Sequence, residues 1–126
     1  MSDLVSRLRA LDTCAVSDAL DSHGLPSAVG GLRPLAAQRP TAGRAVTVLL
    51  GVPAPVPVPV PAPVPGAPKR HLSTAAVDAS GPGDVIVVAH QGRTDCAGWG
   101  GLLSRAAVIR GIDGVVVDGE IGRAHV

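Results

Sequence analysis

Three glycines surround a lone tryptophan in Gly98-Trp99-Gly100-Gly101, directly ahead of the apolar run Leu102-Leu103-Ser104-Arg105-Ala106-Ala107-Val108-Ile109. The chemistry such a junction offers is anion binding. The first amides of a helix have no partner inside it and carry partial positive charge, so they favour a carboxylate or a phosphate. Gly100 and Gly101 present no side chain, which lets a ligand approach the backbone closely. The same residues would also serve as a tight turn that merely starts a helix against a strand, and the local pattern does not separate the two.

A second polar group stands just upstream, where His90, Arg93, Asp95 and Cys96 read as a loop. His90 with Asp95 could form an acid–base pair or supply metal ligands, or the loop could serve only solvent. No spacing here resembles a zinc motif. Ser17-Asp18 has no histidine placed to complete a triad, and it is assigned no catalysis.

These residues need elements to hold them. Leu102, Leu103, Ala106 and Ile109 fall on one helical face, with Arg110 in the last turn and Gly111 at the expected cap. Val115-Val116-Val117 then reads as a buried strand ending at Asp118-Gly119. Upstream, Ser2 or Asp3 caps a short helix carrying Leu4, Val5, Leu8 and Leu11. Asp12 or Thr13 starts a second helix with Val16, Ala19 and Leu20 inward and Gly24 as its stop. Residues 26–40 are turn-rich. Val46–Leu50 and Val85–Val88 read as buried strands, and His71–Ala79 as a helix of small residues halted by Gly81-Pro82-Gly83.

Residues 52–68 differ in kind. Eight of the chain's twelve prolines lie in this stretch, mostly at every second position. Proline gives no ladder hydrogen bond and pushes the preceding residue to extended angles, so a polyproline II excursion is expected in place of a strand.

The 126 residues fit one domain whose core must be aliphatic, because aromatics are 1% of the chain and hydrophobic residues 46%. A net charge of +1 and the lack of a basic run or aromatic platform argue against nucleic acid as a partner. Two cysteines, Cys14 and Cys96, make no disulfide framework. With no signal-peptide core and no stretch approaching a transmembrane span, the expected location is cytoplasmic and no membrane partner is expected.

In order and spacing, several motifs together resemble the family of the regulator of ribonuclease E activity A and the 4-hydroxy-4-methyl-2-oxoglutarate aldolases. They are Thr13-x-x-Val16-Ser17-Asp18-Ala19-Leu20, Gly43-Arg44-Ala45-x-Thr47-Val48, Pro82-Gly83-Asp84-Val85-x-Val87-Val88 and Trp99-Gly100-x-Leu102-Leu103. Arg110-Gly111-x-x-Gly114-Val115-Val116-Val117-Asp118-Gly119 completes the set. The resemblance implies an α/β domain with a swivelling β/β/α core, assembled as homotrimers or hexamers. It also implies cleavage of 4-hydroxy-4-methyl-2-oxoglutarate-type keto acids to pyruvate, often with oxaloacetate decarboxylation. A divalent metal, usually magnesium, stabilises the enolate in that chemistry. Non-catalytic members that restrain ribonuclease E provide the alternative function.

Carried over residue by residue, the substrate-binding turn falls on Gly100, Gly101, Leu102 and Leu103. The family usually has an acidic residue at the position of Gly101. After Asp118-Gly119 it continues with two residues and then Arg-Asp, for substrate and metal; here those positions hold Gly122 and Arg123. An arginine cannot coordinate a metal, so no metal ligand and no catalytic residue is assigned on this chain. Residues 120–126 read as a translated sequencing adapter. The expectation is that residues 1–119 form the N-terminal portion of one such domain, inactive by itself, and that 120–126 are a non-native tail.

Overall fold

The computed structural model describes residues 3–26, 28–36, 39–51, 65–66 and 71–122. The proline-rich stretch of residues 52–68 lies outside them except for residues 65–66, as does Arg123. In chain order the elements are α1 (Asp3–Arg9), α2 (Thr13–Ser22), β1 (Ala45–Leu49), α3 (Leu72–Ala79), β2 (Val85–Arg93), α4 (Gly101–Ile109) and β3 (Gly114–Gly119). The arrangement is α/β, with a parallel three-stranded sheet ordered β1-β2-β3.

Ala45, Val85 and Gly114 are aligned across the sheet, and the register runs on through Val46–Ile86–Val115 and Val48–Val88–Val117. Successive strand residues point to opposite faces, so this register collects Val46, Val48, Ile86, Val88, Val115 and Val117 on one side. The helices α3 and α4 cover that side. Ala76, Val77, Ala107 and Trp99 join Val48, Ile86 and Val88 in the buried core, flanked by Leu103 and Ala106. Small helix residues let the helices sit close over the valines, which is how an aliphatic core with one aromatic ring closes.

The opposite face is open among the described residues except at its amino end, where Val85 is buried. Ala45, Thr47 and Leu49 are exposed, Leu49 at 67%, and Val87, Ala89 and Val116 are only half-buried. β1 therefore alternates and β3 is half-buried except at the exposed Asp118, where buried strands were expected. Period-2 alternation was hidden because both faces of these strands are apolar.

The inward face of α4 also differs from the expectation. Leu102 and Ile109 are 86% and 78% exposed, while Ala107 is buried and Leu103 and Ala106 are half-buried. Apolar residues run most of the way round this helix, so spacing alone could not select the packed side. On α2 only Val16 and Leu20 of the expected inward set are sheltered, and Ala19 is exposed. Asp12 caps α2 by accepting from the Ala15 amide at 2.7 Å.

Candidate functional site

The helix α4 starts at the carboxyl end of the sheet, where the glycine turn puts its first amides beside a cavity. Gly100 is its N-cap, with extended angles (φ −156°, ψ 178°) and no side-chain cap. The first bond into the helix runs from the Ser104 amide to the Gly100 carbonyl, at 3.0 Å. The amides of Gly101, Leu102 and Leu103 precede that ladder and are the ones a ligand can take. A Cβ on Gly100 would meet nothing within 4 Å, so the glycine leaves free space in front of these donors.

A cavity of about 250 Å³ opens there, lined by His71, Ala97, Gly98, Trp99, Gly100, Leu103 and Gly122. Of the residues expected in the turn, Gly100 and Leu103 line it. Gly101 does not, and the Leu102 side chain points to solvent, so either could contribute only through its amide. His71, the residue before α3, adds an imidazole that the sequence reading did not place at this site.

The turn is held from within. Trp99 is 3% exposed, and its indole N–H donates to Ser104 Oγ at 2.9 Å. Ser104 Oγ in turn donates to the Gly100 carbonyl at 3.1 Å. Sequence reasoning missed Ser104. The available signal was that a buried indole needs an acceptor, and Ser104, five residues on and within the following helix, is one of the two nearest hydroxyls, with Thr94. Residues 119–122 close the other side: the amides of Glu120, Gly98 and Gly122 donate to the carbonyls of Arg93, Glu120 and Trp99 respectively.

His90 does not lie in a loop. β2 continues to Arg93, through a ladder irregularity in which Gln91 and Gly92 take positive φ (58° and 64°). His90 is thereby turned inward and is 4% exposed. Its Nε2 donates to the Cys96 carbonyl at 2.9 Å, with Cys96 Sγ at 3.6 Å. Asp95 is not its partner. Asp95 takes two bonds from Arg93, at 2.9 and 2.6 Å, and that guanidinium holds its carboxyl down to about 2. The His90–Asp95 pair, one of the alternatives the sequence left open, is therefore not formed, because Arg93 claims the carboxylate. Among the described residues no three His, Cys, Asp or Glu side chains gather as a metal site, and both cysteines are free and exposed.

The opposite end of the sheet is charged, and a second cavity of about 220 Å³ opens beside it, lined by Arg9, Thr41 and Ala42 among others. Arg44, Asp84 and Asp113 each stand immediately before a strand. Arg44 reaches Asp84 twice, at 3.0 and 2.6 Å, and the Gly81 amide adds a third bond to Asp84 at 2.8 Å. These bonds draw the Asp84 carboxyl down to about 2, with Arg44 the larger cause. Asp113 accepts from Arg39 and Thr41 and pairs with Arg9 of α1, which also holds it below the usual carboxylate range.

A family model described as RraA-like, Aldolase/RraA, matches residues 13–123. Protein DlpA of Legionella pneumophila is 28% identical over 121 residues, which cover 96% of this chain and 18% of that protein. The fold matches the crystal structure of Streptomyces coelicolor RraAS2, described as an unusual member of the RNase ES inhibitor RraA protein family. The TM-score is 0.78 at 25% identity, over 98% of this chain and 56% of that one. A structure of an uncharacterized protein from Pseudomonas syringae pv. tomato matches with TM-score 0.59 and 34% identity, over 91% of this chain and 46% of that one. The chain thus spans about half the length of these solved structures and less than a fifth of the curated relative. No helix among the described residues is long and apolar enough to cross a membrane.

Proposed function

The chain belongs to the RraA-like, Aldolase/RraA family, and on that premise we propose that the turn at the start of α4 is the carboxylate-binding element of a keto-acid aldolase or decarboxylase. One observation carries this reading: the free amides of Gly101, Leu102 and Leu103 stand beside a cavity, with an unfilled glycine in front of them. Such donors are fixed before the ligand arrives, so they bind a carboxylate without reorganising. The substrate class is 4-hydroxy-4-methyl-2-oxoglutarate-type keto acids that release pyruvate, with oxaloacetate as a second substrate. A homotrimer or hexamer is the assembly proposed with it, and such contacts would cover Leu102, Val108 and Ile109, which are exposed here.

Magnesium, the metal expected for such enzymes, does not fit the donors on this chain. The cavity lining offers one imidazole and no carboxylate, whereas magnesium takes oxygen ligands. The position expected to supply the ligand is Arg123, itself a cation. No metal-assisted step is derived for this chain; its own residues bind and orient a carboxylate. Because Arg123 lies in the stretch read as a non-native tail, it does not bear on the second reading, a non-catalytic interaction module of the ribonuclease-restraining kind. The feature that leans that way is Gly101, where the family usually has an acidic residue.

Oxalate, a planar dicarboxylate, is the probe. Trp99 is the chain's only tryptophan and lines the cavity, so saturable quenching of its fluorescence by oxalate, competed by pyruvate, is expected. No saturable change up to tens of millimolar would remove the turn as a carboxylate site. Inhibition of ribonuclease E by a chain that fails to bind oxalate would establish the second reading.

A further inference from the structure

We propose that His90 is a positioning residue, a buried imidazole that sets the distance between the α4 amides and the end of β3. Its use rests on the carboxylate reading of the turn; its structural action does not. His90 is almost fully buried, yet only one of its ring nitrogens has a partner. A carbonyl can only accept, so the bond to Cys96 places a proton on Nε2, and Nδ1 is left buried without a partner. That costs free energy which an apolar side chain of similar size would avoid. Packing alone therefore does not account for a histidine here.

The ring's surroundings supply a reason. A Cβ on Gly98 would lie 2.9 Å from His90 Cγ, and one on Gly119 would lie 2.7 Å from His90 Cδ2. The ring is thus clasped between two glycines, one in the turn before α4 and one at the end of β3. Gly119 has φ +139°, which side chains rarely adopt, so this contact is tied to backbone geometry on that side as well. From Gly98 the chain passes through Trp99 to the Gly100 cap; from Gly119 it passes to Gly122, and both Gly98 and Gly122 line the cavity. One ring, flanked by two glycines and bonded to the Cys96 carbonyl, fixes both walls of the cavity. It touches no ligand itself.

The test compares His90→Leu, which keeps bulk but loses the donor, with His90→Gln, whose amide N–H can reach the Cys96 carbonyl. Three readouts are taken on the full chain: Trp99 emission, alkylation of Cys96 in a Cys14→Ser background, and oxalate titration. His90→Leu should unfold cooperatively but show red-shifted Trp99 emission, faster Cys96 alkylation and about tenfold weaker oxalate binding, as displaced binding groups do. His90→Gln should restore most of each. Wild-type emission and alkylation in a folded His90→Leu chain would overturn the proposal, as would failure of His90→Gln to restore them. If the parent chain binds no oxalate, the carboxylate reading fails, while emission and alkylation still decide the role of His90. Should His90→Leu not fold, Gly98→Ala pushes on the ring without removing it. The same shifts are expected from that variant, and their absence would overturn the proposal.

Discussion

The two ends of the sheet use backbone and charge in opposite ways. At the amino end, Arg44, Asp84 and Asp113 precede their strands: Asp84 accepts from Arg44 and from the Gly81 amide, and Asp113 accepts from Arg39 and Thr41 and pairs with Arg9. At the carboxyl end the side chains thin to glycine, the α4 amides are left without partners, and the one buried polar ring keeps a bare nitrogen. At the amino end the carboxylates are satisfied by the chain itself, although Arg9 Nη2, ion-paired with Asp113, makes no hydrogen bond among the described residues; at the carboxyl end the helix amides and the ring nitrogen are left for something else to satisfy. In parallel α/β sheets ligands gather at the carboxyl ends of strands, and here that end holds the unpaired donors.

If this division holds, substitutions at the amino end change stability and leave ligand binding alone. Asp84→Ala removes three hydrogen bonds, two of them to a guanidinium, and strands the Gly81 amide. Arg44 is largely exposed, which screens the pair, so the expected loss is about 2 kcal/mol by chemical denaturation, with oxalate affinity unchanged. The pH dependence follows in sign. The folded Asp84 carboxyl sits at about 2 against an ordinary 3.8, so its contribution is complete above the ordinary value. It is lost as pH falls towards about 2. Acid unfolding of the parent chain should therefore steepen across that window, and Asp84→Asn should flatten it. An Asp84 variant that loses oxalate binding while keeping its fold would break the division.

Gly100→Val probes the other end. Its angles are extended and a Cβ meets open space, so the fold should survive; valine is a poorer helix cap than glycine, at a cost below about 1 kcal/mol. The branched side chain would stand in front of the free amides and weaken oxalate binding by about tenfold, or ~1.4 kcal/mol. Unchanged affinity in a folded variant would take Gly100 out of the site.

Gly122→Arg is expected to act in the favourable direction. A Cβ there would lie 3.2 Å from the Ala97 methyl and 4.0 Å from Gly100 Cα, so the guanidinium would emerge at the cavity after a small adjustment of Ala97. A charge at a solvent-open edge gains about 1 kcal/mol or less, a severalfold tightening of oxalate that high salt should erase. Weaker binding would show that the arginine fills the cavity instead of bordering it.

How much of this was legible in the sequence depends on how singular each signal is. The valine runs and the glycine turn before α4 were plain, because β-branched runs and side-chain-free caps have few other uses. The family motifs carried the α/β class. The inward face of α4 was not legible, since Leu102, Val108 and Ile109 compete with Leu103, Ala106 and Ala107 and hydrophobicity cannot rank them. His90 was misplaced because His-Gln-Gly has the composition of a loop. It is β3, through the pairing of Arg93 with Gly119, that keeps those residues in the ladder, and pairing partners distant in sequence leave no local mark.

The smallest effect is expected where the sequence is most conspicuous. Replacing residues 52–68 by a Gly-Ser loop of half the length tests whether that stretch belongs to either end of the sheet. It leaves from Gly51, just beyond β1, and the chain re-enters the described fold at His71, beside the cavity. If it serves only as a connection, halving it changes closure entropy by about 0.6 kcal/mol, and the denaturation midpoint should barely move. The open sheet face gives the experiment its edge. Leu49 and Thr47 are exposed and Val87 only half-buried on this face, and the proline stretch carries valines, mostly at alternate positions, directly downstream. A loss of several kcal/mol would mean that those valines cover this face, and the expected solvated excursion would be wrong. A loss of oxalate binding at constant stability would instead place the stretch at the carboxyl end, beside His71. An unchanged midpoint and an unchanged oxalate affinity together would leave the comparison between the two ends resting on the sheet, its helices and their turns alone.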